Sequence, residues 1–225
     1  MANKPNSGGM IIPTKHAFVA RISTLVAAWL LVASLLVAGM VSPTAAQSGG
    51  ARRTGLIFVS AEKSNAVFVL DPTSYKVTHT IKTSKRPRDM HFSADRTRLY
   101  VACGDADVID VIDTAKLAVV SRIKTGKSPE LFAIDEARRR IYVASEDDSE
   151  LSILDLDKGT KLGAVKTGGE PEGVLVADDG KTIYVTSEVA NLVHVIDAGK
   201  GAIVKDIVVG NRPRRFALAA GGKEL

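Results

Sequence analysis

Ile141-Tyr142-Val143-Ala144-Ser145-Glu146 decides the fold of this chain, because the same pattern returns at a fixed distance. Forty-two residues earlier the chain reads Leu99-Tyr100-Val101-Ala102-Cys103-Gly104, and forty-two later Ile183-Tyr184-Val185-Thr186-Ser187-Glu188. One further step back gives Ile57-Phe58-Val59-Ser60-Ala61-Glu62, with Phe58 in place of the tyrosines. Asp71, Asp113, Asp155 and Asp197 keep the same period, as do Pro87, Pro129, Pro171 and Pro213. Four copies stand in register without a gap.

Within a copy the apolar residues alternate with period two, and turn residues interrupt them at short intervals. In the third complete copy, Val174-Leu175-Val176 reads as a strand closed by Asp178-Asp179-Gly180, where glycine tolerates positive φ. Thr182 to Ser187 is the second strand, Leu192 to Ile196 the third and Ala202 to Val209 the fourth. Asp197 opens the turn between the last two, and its carboxylate is suited to bond backbone N–H groups just beyond it. The proline that ends each link marks a strand start, where no ladder N–H is needed. A period of 42 residues with four short antiparallel strands predicts an all-β chain, a β-propeller of four-stranded blades with the strand after the proline innermost.

The N-terminal residues are of another kind. Lys4, Lys15 and Arg21 make a basic start, Ile22 to Val41 is almost wholly apolar, and Thr44-Ala45-Ala46 offers small residues. Residues 1–46 are expected to be a cleaved signal peptide. An uncleaved membrane anchor is the competing reading, because the run is long enough to span a bilayer. Residues 47–55 read as a flexible Gly/Ser/Arg-rich tether, and 56–225 as the repeats. The full chain carries a formal charge of +5, but the leader holds three basic residues and no acid, so 27 basic face 25 acidic side chains beyond it. That near balance gives no electrostatic reason to expect nucleic acid. Cys103 is the single cysteine, which excludes an intramolecular disulfide, and it aligns with Ala61, Ser145 and Ser187 as a small buried strand residue.

Ile-Tyr-Val-Thr-Ser at 183–187, Val-Ile-Asp at 195–197, Gly-x-x-Pro at 210–213 and Ala-Asp-Asp-Gly-Lys at 177–181 resemble the YVTN-type β-propeller repeat. The asparagine of that motif is replaced here by Ala61, Cys103, Ser145 and Ser187. The wording is similar to secreted propeller proteins associated with PQQ-dependent alcohol catabolism. That resemblance implies a periplasmic or secreted location beside a quinoprotein dehydrogenase or cytochrome c, with no cofactor of the chain's own. It also implies about seven blades, so the four copies are expected to form part of a larger ring. Four-blade closure, with Arg214 to Ala219 beside Ile57 to Ser60, is the alternative. The only tryptophan, Trp29, lies in the leader, which argues against a WD40 propeller.

Chemistry is sparse in the pattern. His79, His91 and His194 occupy different blade positions and show no paired metal-ligand spacing, and His91 is expected to be a hydrogen-bonded interior residue. No nucleophilic triad is visible, so the chain reads as non-catalytic. A propeller enzyme of lactonase type and a cell-surface structural protein are the alternatives. The telling residues are in loops. The links into the innermost strands carry Arg86 and Arg88, Ser128 and Glu130, Glu170 and Glu172, Arg212 and Arg214. The hairpins between second and third strands carry Glu62, Glu146 and Glu188, with Gly104 the exception. Both groups are expected to open on one mouth, with basic flanks and an acidic middle that orient an acidic partner or anionic ligand. The alternative is a solvated face whose ion pairs are incidental.

Overall fold

Each copy of the Tyr-Val stretch forms the second strand of an antiparallel sheet, and its alternation sends side chains to both faces of that sheet. A computed structural model describes residues 55–177, 179–219 and 224–225. The leader, most of the tether and Asp178 lie outside the described residues. Fifteen strands form four sheets. The first sheet has β1 (Ile57–Ala61), β2 (Ala66–Leu70) and β3 (Val77–Lys82), and the second has β4 (Pro87–Phe92), β5 (Arg98–Cys103), β6 (Val108–Asp113) and β7 (Ala118–Lys124). The third has β8 (Pro129–Asp135), β9 (Arg140–Ser145), β10 (Glu150–Asp155) and β11 (Lys161–Lys166). The fourth has β12 (Pro171–Val176), β13 (Thr182–Ser187), β14 (Leu192–Asp197) and β15 (Ala202–Val208). Every sheet runs up and down in sequence order, as an all-β propeller blade does.

The sheets pack face to face through the alternation. From β5, Leu99, Val101 and Cys103 join Val67, Val69 and Ile81 of the first sheet, while Tyr100 and Ala102 join Phe132, Ile141 and Val143 of the third. From β9, Tyr142 turns the other way to meet Ile183, Val185 and Ile196 of the fourth. Side chains of this size, taken wholly out of water, are worth roughly 1.5–3 kcal/mol each, so the inter-sheet layers hold neighbouring blades together. The first strands are the ones that converge: β4 lies against β8, and β8 against β12.

The turns follow the repeat. Asp71, Asp113, Asp155 and Asp197 each accept two backbone N–H groups, two and three residues on, at 2.7–3.1 Å. Those bonds hold the carboxyls of Asp71, Asp113 and Asp197 below the usual range. Gly180 adopts φ +59° beside Asp179, whose carboxylate takes the N–H groups of Lys181 and Thr182.

One expectation and one alternative need correction. The first sheet has three strands, and β1 pairs only with β2 among the described residues. Arg214 to Ala219 forms no ladder with β1; it lies against β12, where a Cβ on Gly173 would come within 2.6 Å of the Arg214 carbonyl oxygen. The glycine is what lets the two backbones approach. Without an inner neighbour, β1 remains partly open, and Val59 is 42% exposed where Val101, Val143 and Val185 are fully buried.

Cys103 is buried in the layer between the first two sheets, and burial pushes its thiol up to about 12. The thiolate is the reactive form, so a maleimide added to the native protein at pH 8 is expected to leave Cys103 unlabelled. Labelling should become complete only in denaturant, as mass spectrometry would read it. Rapid labelling of the native protein would contradict this packing.

Candidate functional site

The mouth is built by backbone conformation before side chains enter. Arg86, Ser128, Glu170 and Arg212, each just before its proline, all adopt left-handed φ of 50–58°. None is glycine, and this conformation costs a non-glycine residue roughly 1–2 kcal/mol. Hydrogen bonds hold it. The N–H of Arg86 donates to Asn65 Oδ1, that of Ser128 to Asp107 Oδ1 and that of Arg212 to Asn191 Oδ1, all at 2.9 Å. The carbonyls of Arg86, Ser128 and Glu170 accept the N–H of Gly104, Glu146 and Glu188 at 2.9–3.0 Å. Each link is therefore tied to the hairpin before it or the hairpin after it, and in two cases to both. The links and the second-to-third-strand hairpins share one face, as the sequence implied.

Past each proline the ladder slips, between Pro87 and Met90, Pro129 and Phe132, and Pro171 and Val174. A bulge of this kind re-aims the side chains within it, here Arg88, Glu130 and Glu172. Arg86 Nη2 lies 3.2 Å from Glu130, and Arg88 pairs with Glu130 as well as with Glu62 at 3.0 Å. At the other end Arg212 and Arg214 both pair with Glu188, the latter at 2.9 Å, and Arg214 reaches Glu172 at 3.8 Å. Gly104 stands where other copies carry glutamate, and a Cβ there would meet Arg86 Nη1 at 3.2 Å. Its small size gives the guanidinium its path.

The arginines are thus engaged by the chain's own carboxylates and do not stand free as basic flanks. Glu130 and Glu188 are 0% and 1% exposed. Their Oε2 atoms make no aligned hydrogen bond, so guanidinium charge is what compensates them. Leaving such a carboxylate without its cation is strongly unfavourable. Reversing Arg212 and Arg214 would therefore disturb folding, contrary to what exposed rim charges imply.

Three acids remain. Glu146 accepts a hydrogen bond from the Ser128 hydroxyl at 3.0 Å, and Glu170 has no ion pair among the described residues. The Glu172 side chain is 4% exposed, and the distant Arg214 is its one ion-pair partner there. Burial pushes the Glu172 carboxyl above its usual range; Arg214 and Arg88 oppose the shift, and Glu146 and Glu170 add to it.

Asp110 was not singled out from sequence, and His194 was named there without a role. Asp110, fully buried in β6, accepts from Ser84 N–H and Oγ at 2.7 and 2.8 Å and pairs with Arg122. In the same strand position His194 accepts from Gly168 N–H at 2.9 Å through Nε2 and holds Asp206 at 2.6 Å through Nδ1. At the position that Phe68 fills in the first copy, Asp110, Ser152 and His194 break the apolar pattern of the third strands, and that was the available signal. His91 is hydrogen-bonded, to Asp89 at 2.9 Å, but its side chain is 44% exposed rather than interior. No cluster of three or more metal-ligating residues occurs among the described residues.

Glu172 gives this site a pH signature. Its folded-state pKa lies above the ordinary 4.5, so protonation favours the fold. That contribution is full below the unfolded value and is lost as pH rises through the raised one. The melting temperature of Glu172→Gln, relative to the unsubstituted protein, is therefore expected to climb between pH 4 and pH 7. A difference that stays flat or falls over that range would contradict the burial of an uncompensated carboxylate.

A family profile described as YNCE-like beta-propeller matches residues 51–219. No curated protein matches the chain. Among solved structures, the hydrazine synthase of Kuenenia stuttgartiensis superposes with a TM-score of 0.63 at 23% sequence identity, over 69% of this chain and 46% of that one. The chain spans less than half of that protein's length, and at this identity the likeness concerns the fold alone. The blade-forming repeats, the sheets they build and the profile over most of the chain agree: this chain belongs to the YNCE-like β-propeller family.

Proposed function

We propose that this chain is a secreted or periplasmic, non-catalytic binding propeller, accessory to PQQ-dependent alcohol oxidation. Its membership of a propeller family with a PQQ-associated branch supports the setting. One observation carries the binding role: a mouth whose loops are latched blade to blade and whose charges the turns do not require. Four arginines there stand among six glutamates and pair with four of them. Glu146 and Glu170, which have no arginine partner among the described residues, keep the face acidic on balance. The surface it suits is a basic patch, on a quinoprotein dehydrogenase or a cytochrome c, rather than the acidic partner that unpaired arginines would select. Such a face steers encounter and weakens with salt. Nucleic acid is no partner of an acidic mouth, and a membrane enters only with an uncleaved leader.

A second reading has one observation of its own. A buried carboxyl with a raised pKa at the opening of a propeller is the kind of group that acid–base chemistry uses. Lactone hydrolysis by the pure protein, lost in Glu172→Gln, would bring a lactonase-type enzyme forward.

The binding role is tested by capture from a periplasmic extract of alcohol-grown cells, on immobilised protein at low salt. Glu170→Lys is the informative variant, because arginine already occupies the aligned left-handed positions Arg86 and Arg212. The unsubstituted chain should retain a dehydrogenase or cytochrome, and the variant should retain about tenfold less, a change of roughly 1.4 kcal/mol. Equal capture by both, or none by either, would overturn the proposal.

A further inference from the structure

A cavity of about 380 Å³ lies where the first strands converge, beyond the charged links, within the range of small-molecule sites. Asp89 and His91 on β4, Phe132 on β8, Val174 on β12, and Arg215 and Phe216 beyond β15 contribute to its wall. The copies diverge here. Aligned positions 89, 131, 173 and 215 hold Asp, Leu, Gly and Arg, and positions 91, 133, 175 and 217 hold His, Ala, Leu and Ala. A repeat that keeps its prolines, turn aspartates and Tyr-Val pairs has put unlike chemistry at its channel positions.

Each polar group has a defined state. Asp89 Oδ2 accepts the Phe132 N–H at 3.2 Å and lies 2.9 Å from His91 Nε2. A carboxylate accepts and does not donate, so the tautomer that fits this contact carries its proton on Nε2 and offers Nδ1 as the acceptor. The His91 ring meets Phe132 edge-on, with centroids 4.7 Å apart. Arg215 makes no ion pair among the described residues. The close approach at Gly173 brings its segment against β12, and Phe216 packs toward Tyr184 at 6.3 Å.

A guanidinium with no ion pair among the described residues, the half-buried Phe216 ring and an imidazole acceptor together point to a ligand class. We propose that this cavity binds a small aromatic hydroxy acid, with its carboxylate on Arg215, its ring against Phe216, and its hydroxyl donating to His91 Nδ1. The guanidinium fork suits a carboxylate, and ring edges and faces suit an aromatic body over an aliphatic one. The proposal is independent of the mouth: it needs neither a macromolecular partner nor the glutamate cluster.

Titration calorimetry with 4-hydroxybenzoate tests it, with benzoate and benzyl alcohol as comparison probes. Saturable binding with one site is expected, tighter for 4-hydroxybenzoate than for benzoate, and weakest for benzyl alcohol. Arg215→Gln should weaken both acids by about tenfold or more, as loss of a charge-assisted hydrogen bond does. His91→Phe should reduce 4-hydroxybenzoate to the level of benzoate while leaving benzoate unchanged. Both side chains are exposed enough for the variants to fold, and an unchanged melting temperature verifies it. Absence of saturable binding up to about 10 mM, beyond which affinity is below any specific site of this size, would overturn the proposal. So would equal affinity for benzyl alcohol, or Arg215→Gln binding as the unsubstituted chain does.

Discussion

The left-handed residue before each inter-blade proline is the constraint on which the mouth depends. Arg86 donates its N–H to Asn65 of one blade and accepts the N–H of Gly104 from the next. Ser128 does the same between Asp107 and Glu146. These bonds stabilise a conformation that is unfavourable in an isolated chain, and the bulge after the proline follows from it. The bulge then fixes where Arg88, Glu130 and Glu172 point. Charge placement at the mouth is thus a consequence of backbone geometry, repeated every 42 residues.

Packing and polarity divide the work between two regions. Between sheets, alternating apolar side chains form three layers, each shared by one pair of neighbours, so stability propagates from blade to blade. At the mouth, buried Glu130 and Glu188 carry a desolvation cost that paired arginines offset. A hydrophobic replacement there would serve the fold as well or better. That two such carboxylates share one face with the links is the physical reason to look for binding there.

Much of this was legible in the sequence. Turn aspartates, strand-opening prolines and the Tyr-Val alternation are local signals, and β12 to β15 fall almost where the pattern puts them. Aligning the repeats was enough to place Arg86, Arg88, Glu130, Glu172 and Glu188 on one face. It was not enough to say which charges meet. Arg86 and Glu130 are 44 residues apart and join only because Gly104 leaves room between blades. The open side of β1 agrees with the expectation of part of a larger ring: Arg214 to Ala219 copies the inner-strand pattern but pairs with no strand among the described residues. His91 looked interior because its aligned residues are small or apolar, whereas the channel it faces is open.

The account rests on latched loops, and amide hydrogen exchange reads that directly. The N–H groups of Gly104, Glu146 and Glu188, though in hairpins, should exchange as slowly as those of the buried strands β5, β9 and β13. Each is bonded to the carbonyl of the link that enters its own blade, one step beyond the ladder of that blade's first and second strands, so its opening requires the link to part from the blade. If these three amides exchange as fast as the exposed turn at Tyr75, the loops move independently and the mouth is not a preformed site.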